Sequence, residues 1–375
     1  MKEKIKFAGI NYYCHRHLND PEAVAAFHAP SDRFLSTIRE EADITLFKHI
    51  QQPAGYQDDT ADYYFFTRKN HFWQIPSATH AAVKQHDPGL VVVQGLIFPL
   101  QVMALRRKLG KKPVILLQHQ AEPPYRRKKI FQQLADRAVD GYLFTSAASA
   151  APWIQAGIIR KKEKVFELPP ATTTFTQQNK QESRLKTGMK EGTCFLWVGR
   201  LNANKDPLTV LDAFEQYLRQ QPGAYLYMLY TEADLLDAVQ QRISGSNVLA
   251  GQVVLAGRRP HAELEWWYSA ADYFILASHH EGGSFALMEA MACGCVPVVS
   301  NIPASMQMIQ QGRAGFFFPP GRADALLNTL LSLPVTGLAA WSARAKHSFE
   351  EELSGKAIGK KLLAIFHHLQ SQRRQ

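Results

Sequence analysis

The sequence predicts an α/β protein made of two doubly wound domains that face each other across a cleft. Three observations carry that prediction. Short apolar, β-branched runs alternate with helix-period segments along most of the chain. The 375 residues exceed the roughly 100–200 typical of one domain. A polar Thr/Gln/Lys-rich stretch interrupts the alternation near the middle and reads as a linker. The expected divisions are a first domain over 1–175, a linker over 176–192, a second domain over 193–347, and a final helix in 348–375 that crosses back to the first domain.

In the first half, strands are expected over 5–10, 44–50, 90–94, 114–118 and 142–145. Helical patterns fall at 31–41, 77–85, 100–109, 128–139 and 147–156. Residues 51–73 fit neither period and stand as a long loop or an extra hairpin. A second series follows, with strands over 194–198, 225–230, 253–256, 272–277 and 296–300 and a short run at 316–318. Its helices are expected over 207–219, 232–243, 261–270, 285–292, 322–333 and 338–347, with a last one over 353–369. In open α/β sheets ligands sit beyond the carboxyl ends of the strands, so the loops after strands are where function is sought.

Charge is divided unevenly. Residues 1–187 hold 27 basic and 17 acidic side chains, and the remainder 16 of each, so the formal +10 belongs to the first half. That half is expected to face an anionic partner. The most apolar stretch, 89–100, contains Gln94 and Pro99 and falls short of the about 20 residues of a spanning helix. The first residues lack the pattern of a signal peptide. Cys14, Cys194, Cys293 and Cys295 are too scattered for a disulfide framework or a zinc site, which suits reduced thiols in a cytoplasmic protein.

Two loops of the second half carry chemistry. Gly199-Arg200-Leu201-Asn202-Ala203-Asn204-Lys205 leaves a strand and leads into a helix, with Asp206 as N-cap. Arginine can fork onto two phosphate oxygens and lysine adds a mobile point charge, so Arg200 and Lys205 suit a diphosphate, although alone they equally fit two solvated charges. The second loop, Glu281-Gly282-Gly283-Ser284-Phe285, lets the backbone approach a ligand at a helix start, which is an anion site. Glu281 precedes that helix and Glu289 lies about one turn inside it, a separation that fits hydroxyl-rich groups on either side of a phosphate. Glu281 alone is undecided. Glu289 is not, because its neighbours are apolar nearly all round and a buried charge is costly without a partner.

In these residues the second half resembles the retaining glycosyltransferases of family 4, which have the GT-B fold of two Rossmann-like domains. The likeness rests on Gly199-Arg200 with Lys205, the Gly257 loop before Tyr268-Ser269-Ala270-Ala271-Asp272, Glu281 and Glu289 leading into Ala290-Met291-Ala292-Cys293-Gly294, and Gly315-Phe316-Phe317-Phe318 before Pro320-Gly321. It spans about 194–333. The resemblance implies a nucleotide-diphosphate-sugar donor, with Gly199, Arg200 and Lys205 at the diphosphate, Glu289 at the ribose and Glu281 at the sugar hydroxyls. It further implies that the amides around Gly282, Gly283, Ser284 and Phe285 support phosphate and sugar, and that Arg258 lies in the base-proximal loop. Departure of the diphosphate leaves an oxocarbenium-like sugar, and preorganised cations stabilise the developing negative charge. The chain has no Asp-x-Asp motif, Glu232-Ala233-Asp234 being the nearest, so neither a metal nor another cofactor is expected.

In the first half, Val114-Ile115-Leu116-Leu117-Gln118-His119 resembles the family's strand ending in a histidine near the transferred sugar, making His119 a catalytic candidate beside Glu281, Arg200 and Lys205. Tyr142-Leu143-Phe144-Thr145-Ser146 and Val165-Phe166-Glu167-Leu168-Pro169 resemble scaffold. The family's glycine-rich loop after the first strand is replaced by Asn11-Tyr12-Tyr13-Cys14-His15-Arg16-His17, where His15 and His17 are either acceptor contacts or solvated surface. The expected acceptor is a glycan or lipid-linked intermediate. Basic clusters at 106–112, 126–129 and 160–164, with Ile130, Phe131 and Leu134 at helical spacing, suit docking on an anionic inner membrane surface. The alternatives are a catalytically silent GT-B subunit that binds nucleotide-sugar or serves as a scaffold and, last, a nucleic-acid-binding protein, which lacks zinc-finger spacing and an aromatic-basic RNA motif.

Overall fold

The structure, a computed structural model, describes residues 4–14, 18, 20–67, 71–334 and 336–374. His15 and His17 lie outside the described residues. The chain forms two compact units, the first from residues 1–172 and 354–375, the second from 173–353. Read over these units, the charge separates further: the first holds 29 basic and 16 acidic residues, the second 14 and 17.

The first unit is built on strands β1 (Ile5–Cys14), β2 (Ala42–Ile50), β3 (Ala54–Gln57), β4 (Asp62–Thr67), β5 (Leu90–Gln94), β6 (Val114–Gln118), β7 (Gly141–Phe144) and β8 (Val165–Glu167). Their order is β3-β4-β2-β1-β5-β6-β7-β8. All pairings are parallel except β3 with β4. Strands covered on both faces need no alternation, which is why β6 reads Val-Ile-Leu-Leu-Gln and is buried throughout. Residues 51–73, which matched no period, contain the β3–β4 hairpin.

Two expectations change here. The segment after Ile10 is not a loop: β1 continues through a register shift to Cys14, and the buried Tyr12 hydroxyl lies 2.9 Å from His80 Nε2. A helix expected at 31–41 instead occupies Pro21–Asp32 and tightens into a 3₁₀ turn over Arg33–Ile38. Asp20 caps it by accepting from Ala23 N at 2.8 Å, Pro21 starts it, and Pro30 sits in its last turn. Lys48 Nζ, 2.5 Å from Asp32 Oδ2 with both side chains buried, pins that helix to the sheet. The last helix, Gly355–Arg374, returns to this unit and buries Ile358, Leu362, Phe366 and Leu369 against the core that includes Phe34, Leu35 and Ile38.

The second unit carries β9 (Cys194–Gly199), β10 (Tyr225–Tyr230), β11 (Val253–Gly257), β12 (Tyr273–Leu276), β13 (Val296–Ser300) and β14 (Phe316–Phe318). The order is β11-β10-β9-β12-β13-β14, parallel throughout. The polar stretch read as a linker contains a helix, Lys180–Thr187, capped by Asn179, which accepts from Glu182 N at 3.0 Å. It packs on the helix His261–Ala270: Lys186 Nζ sits 3.3 Å from the centroid of the Trp266 ring, and Arg184 Nη2 donates to Asp272 at 3.1 Å. Eight mostly polar residues hide this docking, because so little of their surface is apolar.

A second ionic node lies on Glu215, which accepts from Ser246 Oγ at 2.6 Å and binds Arg242 and Arg219. The Ser246 hydroxyl, followed by Arg242, holds its carboxyl down at about 2. A carboxylate depressed in the fold stabilises above its unfolded pKa and loses that contribution as pH falls toward the folded value. Chemical unfolding followed from pH 5 down to 2 is therefore expected to lose about 1 kcal/mol from this group after solvent screening. The slope should flatten in Glu215→Gln, and an unchanged slope would exclude the node as its source.

Among the described residues no helix is long and apolar enough to cross a membrane. Cys14, Cys194, Cys293 and Cys295 are buried and unbridged.

Candidate functional site

In the second unit β9, β10 and β11 run outward to one side and β12, β13 and β14 to the other, so the strand order reverses between β9 and β12. At such a switch point the two loops that follow the strands diverge and leave a crevice. Those loops, 200–206 and 277–284, are the ones singled out by their charges.

Asn204 ties the two together. Its carbonyl accepts from His279 N at 2.8 Å, its Oδ1 accepts from His280 N at 3.0 Å, and its Nδ2 donates to His280 O at 3.1 Å. Next to it, Asp206 takes a left-handed conformation (φ +47°), caps the helix Pro207–Gln220 and lies 3.0 Å from His279 Nε2. The clamp brings Lys205 Nζ against Glu281 Oε1 as an ion pair, with side chains only 13% and 12% exposed. Gly199 packs closely, since a Cβ there would stand 3.3 Å from the Trp197 ring and 3.5 Å from the Lys205 stem. Arg200 is half exposed, 3.6 Å from Glu232, and that loose pairing leaves its guanidinium able to turn to a ligand.

The helix Phe285–Ala292 begins at Ser284, whose hydroxyl accepts from Leu287 N at 3.3 Å. Gly282 and Ser284 are buried and Phe285 is exposed. On this helix Glu289 is 7% exposed. Its Oε2 accepts from the Tyr268 hydroxyl at 3.0 Å and its Oε1 lies 2.7 Å from His261 Nε2. Burial, and then the Glu289 charge, push the Tyr268 phenol well above its ordinary value, so it stays a donor at all working pH. The His261 ring lies over Phe175, centroids 4.8 Å apart.

The sequence candidates therefore divide. Gly199, Lys205, Glu281, Gly282, Gly283, Ser284 and Phe285 belong to the two loops of the switch point, with Arg200 at their edge. Arg258 is exposed after β11, two strands from β9; the helix that follows its loop meets the site through His261, which reaches Glu289. His119 belongs to the first unit, at the carboxyl end of β6. Its ring is buried against Phe144 (centroids 4.6 Å) with Trp153 edge-on, and Nε2 lies 3.0 Å from Glu122 O, so in this conformation it packs. Sequence reasoning missed Asn204, His261 and the Tyr268 hydroxyl as parts of the site. Asn204, between the two cations, carried the one local signal.

Two doubly wound units, one with an ion-paired Lys and Glu beyond its switch point, have the architecture of the GT-B glycosyltransferases. Residues 192–334 match the family model Glycosyl transferases group 1. That match lies within the second unit, and the relatives of the chain are glycosyltransferases. The chain is 26% identical to the GDP-mannose:cellobiosyl-diphosphopolyprenol alpha-mannosyltransferase of Xanthomonas campestris, an alignment covering 72% of this chain and 71% of that protein. It is 32% identical to the amylovoran biosynthesis glycosyltransferase AmsK of Erwinia amylovora over 40% of this chain and 38% of the relative. Among solved structures a glycosyltransferase of Rickettsia africae superposes with a TM-score of 0.75 at 13% identity, over 98% of each chain, a likeness of fold.

Proposed function

We propose that the protein transfers a sugar, with retention of anomeric configuration and without a metal, from a nucleotide-diphosphate-sugar to a hydroxyl of a lipid-linked or polysaccharide intermediate. The observation that carries this reading is the Lys205–Glu281 pair at the switch point of the second unit. Before the donor binds, each group holds the other in place. When the diphosphate arrives, Lys205 turns to phosphate oxygens and Glu281 accepts from sugar hydroxyls, so one pair supplies both recognitions. Arg200 and the amides at the start of the helix Phe285–Ala292 add to the field in which the leaving diphosphate gathers charge. Glu289, oriented by Tyr268 and His261, accepts from the ribose.

The acceptor class is supported by relatives named for cellobiosyl-diphosphopolyprenol and for an O-antigen chain, together with the basic first unit. That combination also suits action at the inner face of an anionic membrane.

A panel of UDP- and GDP-sugars, read by thermal shift and by donor hydrolysis, tests the reading. One of them should raise the melting temperature, and activity should persist in excess EDTA. NMR of the product should show the donor's anomeric configuration kept. A chain that binds nucleotide-sugars without turning any over, or binds none, is the silent binding or scaffold subunit instead, and inhibition by EDTA reversed by a divalent cation would overturn metal independence.

A further inference from the structure

The first unit carries a surface patch that the transfer chemistry does not use. Trp73 is 69% exposed, Ile130 68%, Leu134 44% and Tyr125 37%. They come from two separate segments of sequence, and aromatic packing joins them. Phe131 lies 5.6 Å from Phe72 and 5.4 Å from Trp73, centroid to centroid, both edge-on. Lys128 Nζ stands 3.8 Å from the centroid of the Phe72 ring and 5.4 Å from that of Tyr125. Gln101 Nε2 donates to Phe72 O and Gln74 O, both at 2.9 Å, fixing the 72–74 turn from beneath. Ile130 and Leu134, four apart on the helix Lys129–Ala135, share one face. A soluble surface scatters large apolar groups singly, whereas these are gathered and held in place.

The charge around them has one sign. Residues 123–135 hold Arg126, Arg127, Lys128 and Lys129 and no acidic residue, and residues 63–86 hold none either. The acids that flank this segment are tied into the fold, Glu122 by Leu96 N and Gln120 N and the buried Asp136 by the Tyr142 hydroxyl and Lys164. Other basic residues of this unit are consumed by the fold: Arg106 binds Asp140 at 2.5 Å and the carbonyls of Ala138 and Pro113, Lys112 pairs with Asp87, and Lys164 with Asp136. Of the basic clusters, the one at 126–129 is the one seated on exposed aromatic and aliphatic side chains.

We propose that this patch is a membrane wedge: Trp73, Ile130 and Leu134 enter the headgroup region of an anionic bilayer while Arg127, Lys128 and Lys129 meet lipid phosphates. The proposal rests on the reading of a lipid-linked acceptor and adds the surface that brings the enzyme to it. Indole and aliphatic side chains ringed by cations match the interface between acyl chains and anionic headgroups. A two-fold pairing of this patch with itself would set four consecutive cations against four.

The test is sedimentation of the full chain with vesicles of equal parts phosphatidylglycerol and phosphatidylcholine, compared with phosphatidylcholine alone. Wild type should sediment with the former at low salt and be released by high salt. Trp73→Ser with Ile130→Ser, and separately Lys128→Glu with Lys129→Glu, should each weaken that partitioning about tenfold. Arg160→Glu with Lys161→Glu, the same charge change outside the patch, should weaken it far less. All variants should keep the wild-type thermal shift with the donor nucleotide. If wild type sediments and the patch variants match it, or the control pair costs as much as they do, the wedge is wrong while membrane action stands. If wild type ignores anionic vesicles, both fail. Loss of a dimer on gel filtration, rather than of vesicle binding, in the Trp73→Ser, Ile130→Ser variant would assign the patch to a second copy and overturn the wedge.

Discussion

Lys205→Ala is expected to lower kcat/KM for the nucleotide-sugar by two to three orders of magnitude, roughly the cost of removing one preorganised group that stabilises a leaving charge. The loss should fall mainly on kcat, because the ammonium matters most when the diphosphate departs. A second effect goes with it. Glu281, whose side chain is 12% exposed, is left without the cation that faces it, so the donor's sugar hydroxyls lose an ordered acceptor and KM rises as well. Lys205→Arg keeps the charge but replaces a compact ammonium by a wide planar fork beside Gly199 and Trp197, and is expected to recover only part of the rate. Steady-state kinetics on the three proteins checks this. A variant that retains wild-type kcat would remove Lys205 from the chemistry.

Glu289→Ala should raise donor KM by about a hundredfold and cost about 1–3 kcal/mol of stability in the second unit, because it deletes the acceptor of the buried Tyr268 hydroxyl. Tyr268→Phe separates the two effects. It keeps Glu289 and loses only the hydroxyl that orients it, so KM should rise several-fold while kcat stays near wild type. The effect should be smaller for a donor analogue lacking the ribose 2′-hydroxyl, since less is then asked of the carboxylate. Equal penalties for both donors would mean that Tyr268 acts only on packing.

The charged loops were legible in the sequence because the chemistry is local: Arg200 and Lys205 leave one strand, Glu281 and Ser284 another, and parallel layering sends both to the same end of a sheet. The partners of Glu289 were not. His261 and Tyr268 precede it by 28 and 21 residues, on a helix whose placement depends on the whole second sheet. The contacts of His119 were hidden as well: at the carboxyl end of its strand it packs on Phe144 with Trp153 edge-on, and neither is near it in sequence. The helix Lys180–Thr187 escaped because composition alone cannot separate a solvated linker from a polar helix moored by Arg184 to one buried aspartate. The continuation of β1 past Ile10 was hidden similarly, since polar Asn11 finds its partner, Gln94, on a neighbouring strand.

The return of the helix Gly355–Arg374 to the first unit bears on the order in which the molecule is made. As the polypeptide leaves the ribosome, residues 1–172 emerge with Phe34, Leu35 and Ile38 still waiting for Ile358, Leu362 and Phe366, which come almost two hundred residues later. The second unit is complete once Leu353 is out. The domain that begins first therefore matures last, and during that interval its uncovered apolar stripe is the natural client of a chaperone.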